Sequence, residues 1–164
     1  MPLKFTYKVI RSHAFVYLQE KLMCPTRGRD GYLYFLFRSK YYKYHIVIWE
    51  LHNGPVPKGM IVDHINNVRT DNRIENLRLA TPTENGRNKL KTKKKTSSKY
   101  KGVHKVETVS KGDRWVASYT LSGKTHHIGT YDTEEEAHEA YMAHTEPLFG
   151  EFFNDGKRVK CPSC

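Results

Sequence analysis

One stretch constrains this chain more than any other. Residues 86–99, GRNKLKTKKKTSSK, combine a dense set of lysines with almost no apolar content. Such a run cannot bury enough apolar surface to order itself around a core, so it reads as a linker or an extended arm. It divides the 164-residue chain into two parts, each long enough for only a modest core. The expected organisation is a first domain over 1–90, a basic linker over 91–97, a second domain over 98–156 and a tail over 157–164.

Charge follows the same division. Lys and Arg number 28 against 17 Asp and Glu, a formal net charge of +11. Residues 1–84 carry 13 basic and 7 acidic side chains, residues 85–106 carry 9 and 0, and residues 107–164 carry 6 and 10. A basic excess that peaks centrally fits a polyanionic partner, with nucleic acid as the leading candidate. The opening MPLKFTYKVIRSHAFVYLQEKL is interrupted by Lys4, Lys8, Arg11 and His13, so neither a secretory leader nor a membrane span is expected. Three cysteines, Cys24, Cys161 and Cys164, do not describe a disulfide framework, and a cytoplasmic setting fits best, that of a bacterial host if the gene is a phage's. Cys161-Pro-Ser-Cys164 is half of a zinc site, read as an unstructured tail or as zinc shared between chains or a redox pair.

Local patterns give an α+β reading. Gly31 to Phe37 and Tyr41 to Tyr44 read as a hairpin, and His45 to His52 as strand or helix, with a short helix stopped by Asn53-Gly54 preferred. Met60 to Ile65 and Leu77 to Ala80 read as partner strands around a polar loop, and Thr81-Pro82-Thr83-Glu84 as a helix start. Beyond the linker, Lys101–Lys105, Arg114–Leu121 and His126–Tyr131 read as three strands. A helix capped at Thr133 follows, burying Ala137, Ala140, Tyr141 and Leu148. Trp115 is expected to pack under that helix.

The segment from Val62-Asp-His through Asp-Asn-Arg-Ile-Glu-Asn-Leu to Asn85 and Asn88 resembles the HNH nuclease motif in its homing and phage version. Gly31-Tyr-Leu-Tyr and Asn53-Gly-Pro-Val-Pro upstream are similar to phage members as well. The resemblance implies a compact ββα-metal unit over about 55–90. In it Asp63 and Asn85 would hold Mg²⁺ or Mn²⁺, His64 would take a proton from the attacking water, and Asn76 would orient His64. Asn76 and Asn85 follow His64 by 12 and 21 residues, matching the motif's middle and final positions. Arg73, Arg78, Arg87 and Asn88 are the expected phosphate contacts, whereas His13, His45, His52 and His138 read as ordinary histidines.

Ser98-Lys-Tyr-Lys-Gly-Val-His104, Trp115-Val-Ala, Ile128-Gly-Thr-Tyr-Asp-Thr and Gly150-Glu-Phe-Phe-Asn154 resemble the ethylene-response-factor (APETALA-type) DNA-binding domain. That resemblance implies a three-stranded sheet laid in the major groove with one helix behind it. Carried over by position, its DNA contacts would be Lys101, Gly102, His104, Ser118, Thr120, Thr125 and His127. The expected protein is thus a metal-dependent endonuclease of nicking or homing type acting on double-stranded DNA, a monomer with one active centre. The rival readings are a non-catalytic DNA-binding regulator on an HNH scaffold and an RNA-binding accessory protein. Replacing Lys93, Lys94 and Lys95 together is expected to flatten the salt dependence of DNA binding by about 3 in log–log slope, measured by titration at several salt concentrations.

Overall fold

The computed structural model describes residues 5–10, 13–91, 96–108 and 112–156. These fall into two compact units, one running to Pro82 and the other from Thr83.

In the first unit, strands β1 (Phe5–Ile10), β2 (His13–Leu18) and β3 (Lys21–Leu22) form one antiparallel sheet. Strands β4 (Thr26–Arg27), β5 (Leu33–Phe37) and β6 (Lys40–Lys43) form a second. Helix α1 (Tyr44–Asn53) follows and stops where expected, Gly54 at φ 85° donating its N–H to Glu50 O at 3.0 Å. Strands β7 (Ile61–His64) and β8 (Leu77–Ala80) then pair, joined by a loop that ends in a 3₁₀ turn over Ile74–Asn76. The core gathers Val16 of β2, Phe35 of β5, Tyr44 and Ile48 of α1, Val62 of β7 and Leu77 of β8, with Leu33, Phe37 and Tyr42 packed against it. Tyr44 anchors its hydroxyl on Met23 O.

The second unit opens with α2 (Pro82–Asn88), with proline in the first helical position. Strands β9 (Val103–Thr108), β10 (Gly112–Leu121) and β11 (Lys124–Tyr131) form an antiparallel sheet with β10 central. Helix α3 (Glu134–Phe149) packs on it, starting at Thr133 as expected, where the structure adds a capping box with Glu136. Ala117, Ala137 and Tyr141 form this core, with Trp115, Tyr119 and Ile128 against it. Leu148 is a correction: it is 42% exposed, and Phe149 is buried instead. The β10–β11 register slips between Ala117 and Ser118, pairing Ala117 with Gly129 but Ser118 with His127. This bulge leaves Ile128 without a partner across the ladder.

Among the described residues no helix is long and apolar enough to cross a membrane. Lys93, Lys94, Lys95, Cys161 and Cys164 lie outside the described residues.

Gly102 sets how closely α3 approaches the sheet. It sits at φ 73°, and a Cβ there would lie 2.0 Å from the Tyr141 ring. Gly102→Ala is expected to destabilise the second unit by roughly 1–3 kcal/mol through strain and overpacking, read from denaturant midpoints. An unchanged midpoint would show that Tyr141 yields freely.

Candidate active site

Strand β7 ends in a buried pair of candidate functional side chains. Asp63, 7% exposed, stands opposite Arg78, 9% exposed, in the β7–β8 register, and its Oδ2 accepts from Arg78 Nε and Nη2, each at 3.2 Å. His64, 3% exposed, donates from Nε2 to Asn72 Oδ1 at 2.9 Å, which leaves the lone pair of the neutral ring on Nδ1. Burial holds the His64 imidazole below its ordinary pKa, with the Asn72 bond and the charges of Asp63 and Asp71 opposing. The ring is therefore neutral at physiological pH, the form that can accept a proton.

The loop between β7 and β8 is tied into one shape by its own polar groups. Asn76 Oδ1 accepts from Asn66 N at 3.1 Å, and Asn76 Nδ2 donates to Asn66 Oδ1 at 2.9 Å and to Asp71 O at 2.7 Å. Asn66 Nδ2 reaches Asp71 Oδ2 at 2.8 Å, and Arg73 grips the Asp71 carboxylate with two bonds of 2.8 Å. The chain thereby doubles back and delivers Asn72 to the ring of His64.

Several expected site residues stand differently. Asn76 fastens the loop, and the bond that orients His64 comes from Asn72, because only Asn72 is carried back over the imidazole. Arg78 is buried against Asp63 instead of lying on an exposed phosphate track. Arg73 is engaged by Asp71. Asn85 stands half-buried in α2. Asn88 is 2% exposed and accepts from Asn154 Nδ2, and Arg87 lies over the Phe149 ring at 4.9 Å, so packing within the second unit holds both.

In the second unit, Lys101 directs its ammonium to Arg87 O and to Asn154 O, and burial pulls its pKa down to about 8. Gly102 lies beneath Tyr141. Neither is disposed as the DNA contact expected of it. The remaining five share a surface: Ser118 pairs with His127, Thr120 with Thr125 and Val116 with His104, all on the face turned away from Ala117 and α3. His127 Nε2 lies 3.3 Å from Thr130 Oγ1 on that face.

His45, read from sequence as ordinary, belongs to the site. Its ring centroid lies 4.9 Å from that of His64 and 4.9 Å from that of Tyr32, and Tyr32 lies 5.8 Å from His64. Its Nδ1 is buried without a hydrogen-bond partner, as is Nδ2 of Asn72. The only sequence signal was its place at the start of an apolar helix, where a polar ring is out of pattern. Lys43 Nζ and Arg69 Cζ lie 4.8 and 4.9 Å from the Tyr32 centroid, which sets two cations beside the imidazoles.

A family profile described as HNH endonuclease matches residues 42–87, a span that holds His45, Asp63, His64, Asn72, Asn76 and Asn85. The chain is 36% identical over 125 residues to an "Uncharacterized HNH endonuclease" of Acanthamoeba polyphaga mimivirus, covering 76% of this chain and 62% of that one. It is 37% identical over 108 residues to "Protein 3.8" of Escherichia phage T7, covering 66% of this chain and 85% of that one. No solved structure matches.

A pH dependence follows from the buried imidazoles. Burial, and next the charge of His64, pull His45 down from 6.5 to about 3. Between those values the unfolded chain binds the proton that the fold refuses, so stability is full above about pH 6.5 and is lost as pH falls toward 3. The expected slope from His45 is about 1.4 kcal/mol per pH unit, measured by denaturant unfolding across that window. His45→Asn should make it shallower, and an identical slope would sink the assignment.

Proposed function

This chain belongs to the HNH endonuclease family, and on that premise we propose that it hydrolyses phosphodiester bonds in double-stranded DNA, cutting one strand per active centre. The observation that carries this reading is the buried neutral His64, its Nε2 proton taken by Asn72 and its chain neighbour the carboxylate Asp63. His64 Nδ1 accepts the proton of the attacking water. Asn72 fixes the ring's tautomer and direction, while His45 and Tyr32 pack against it and limit both its rotation and the entry of bulk water. Lys43 and Arg69 lie where they would attract the DNA backbone toward the imidazole.

A divalent cation fits the donor set. Asp63 offers a hard carboxylate of the kind Mg²⁺ and Mn²⁺ prefer, and a bound cation would share it with Arg78. Asp63, with Asn85 assigned by motif spacing, would hold Mg²⁺ or Mn²⁺, which when bound stabilises negative charge on the phosphoryl and departing 3′ oxygens. The second unit, with its resemblance to APETALA-type domains, lays His104, Ser118, Thr120, Thr125 and His127 on the duplex and positions the enzyme. The rival, a non-catalytic DNA-binding regulator, draws support from the same Asp63–Arg78 pair, since Arg78 satisfies the carboxylate without any metal.

Nicking of supercoiled plasmid separates the two. The wild type is expected to relax plasmid in Mg²⁺ or Mn²⁺ and to stop in EDTA, with His64→Ala slower by roughly 10²–10⁴-fold. Asn72→Ala should lose roughly 10–100-fold, as removal of a group that orients a catalytic imidazole does. Plasmid left intact under every metal and pH would leave the regulator.

A further inference from the structure

Apart from Lys43, the outer face of the β4–β5–β6 sheet has no role in the chemistry above. Phe35, 2% exposed, and its neighbours Leu33, Phe37 and Tyr42 turn into the core. Alternation then places Tyr34 and Leu36 on the opposite face, and the register adds Thr26, Lys43 and Tyr41 to it. Leu36 is 56% exposed and Tyr41 67%, and the two pair across β5 and β6. An open cavity of about 440 Å³ lies here, lined by Thr26, Gly28, Arg29, Asp30, Tyr34 and Tyr41. Its floor is built with care: a Cβ on Gly28 would lie 2.7 Å from Tyr34 Cε2, so glycine lets the tyrosine ring lie flat against the backbone. The Tyr34 hydroxyl is held by Asp30 Oδ2 at 2.7 Å.

Two features identify the occupant. The first is charge: Arg29 lines the cavity, and Lys43 Nζ lies 5.8 Å from the Tyr34 centroid as well as 4.8 Å from that of Tyr32. Arg69 donates to Asp30 O and covers the Tyr32 ring. Asp30 is the one acid lining the cavity, and its two oxygens are taken up by the Tyr34 hydroxyl and the Tyr32 N–H. The second is continuity, for Tyr34, Lys43, Tyr32 and His64 follow one another in contact, so this face runs directly into the candidate active site. An exposed ring, Tyr41, beside the half-buried Tyr34 on one sheet face flanked by cations suits bases whose π-faces are bare, whereas a closed duplex shows its π-faces only at its ends.

We propose that this face is a stacking platform for unpaired bases of the strand adjoining the scissile phosphate, with bases on Tyr34 and Tyr41 and phosphates along Arg29, Lys43 and Arg69. The proposal rests on the nuclease reading and gives it a substrate class: DNA that is open next to the cut. The test is binding by the full-length His64→Ala protein, which leaves DNA uncut, to a fluorescent single-stranded oligonucleotide, a duplex with a short mismatch bubble, and the matched perfect duplex.

Tyr41→Ala, a change at an exposed site, is expected to weaken binding to the single strand and the bubble about tenfold and to the perfect duplex less than twofold. Tyr41→Phe, which keeps the stacking ring, should restore it. Unchanged affinity for open DNA, or an equal loss on all three substrates, would overturn the platform. If wild-type protein still nicks plasmid while Tyr41→Ala binds open DNA normally, the platform fails and the nuclease reading stands; a wild type that never nicks fails that reading instead.

Discussion

The first unit depends on a pair of opposite charges taken out of water. Asp63 and Arg78 face each other across a ladder of four paired positions, both nearly inaccessible. A lone buried charge is expensive, and removing one member of such a pair typically costs about 3–5 kcal/mol. The pair therefore does more than add stability. A slip of one residue would set Asp63 against Leu77 or Leu79 and leave two charges stranded in the interior, so electrostatics fixes a register that so short a ladder would specify weakly.

The candidate site is referred to that register. His64 is the next rung, and the loop beyond it is a closed set of amide and carboxylate bonds whose product is the position of one oxygen, Asn72 Oδ1. The imidazole is then clasped by rings from two further segments, Tyr32 before β5 and His45 at the head of α1. Its neutrality is a property of burial, with the neighbouring carboxylates pulling the other way. Dehydration and orientation come from the same contacts, and both are what the proposed proton acceptor requires.

Much of this was legible in the sequence where a residue's type and its periodicity agree. The Asn53-Gly54 stop, the helix start at Thr133 and the alternation in β10 each state their structure locally. The charge pair itself could not be read, because Arg78 looks like any surface arginine until Asp63 is placed opposite it. The choice between Asn72 and Asn76 was closed to inspection for a similar reason: both are asparagines of one polar loop, and only the folded loop decides which is carried back. His45 was hidden by its segment, since HIVIWELH gives core helix as a sufficient explanation. Lys101 and Gly102 were assigned by position in a family pattern, yet packing by α3 and by the carbonyls of Arg87 and Asn154 claims them first.

The bulge between Ala117 and Ser118 carries a lesson about how this chain can change over time. Positions 127 and 130 are three apart, so on a regular strand they would point to opposite sides, yet His127 and Thr130 are neighbours on one side because Ile128 is the supernumerary residue. Gly129 completes the arrangement, since any Cβ there would meet the Tyr131 hydroxyl at 2.6 Å. Single replacements on the outward face leave the fold of the strand intact, whereas losing or gaining a single codon in β11 would invert that face, turning histidine and threonine toward α3 and the helix-side residues out to water. Divergence in this half of the protein should proceed by replacement at fixed length.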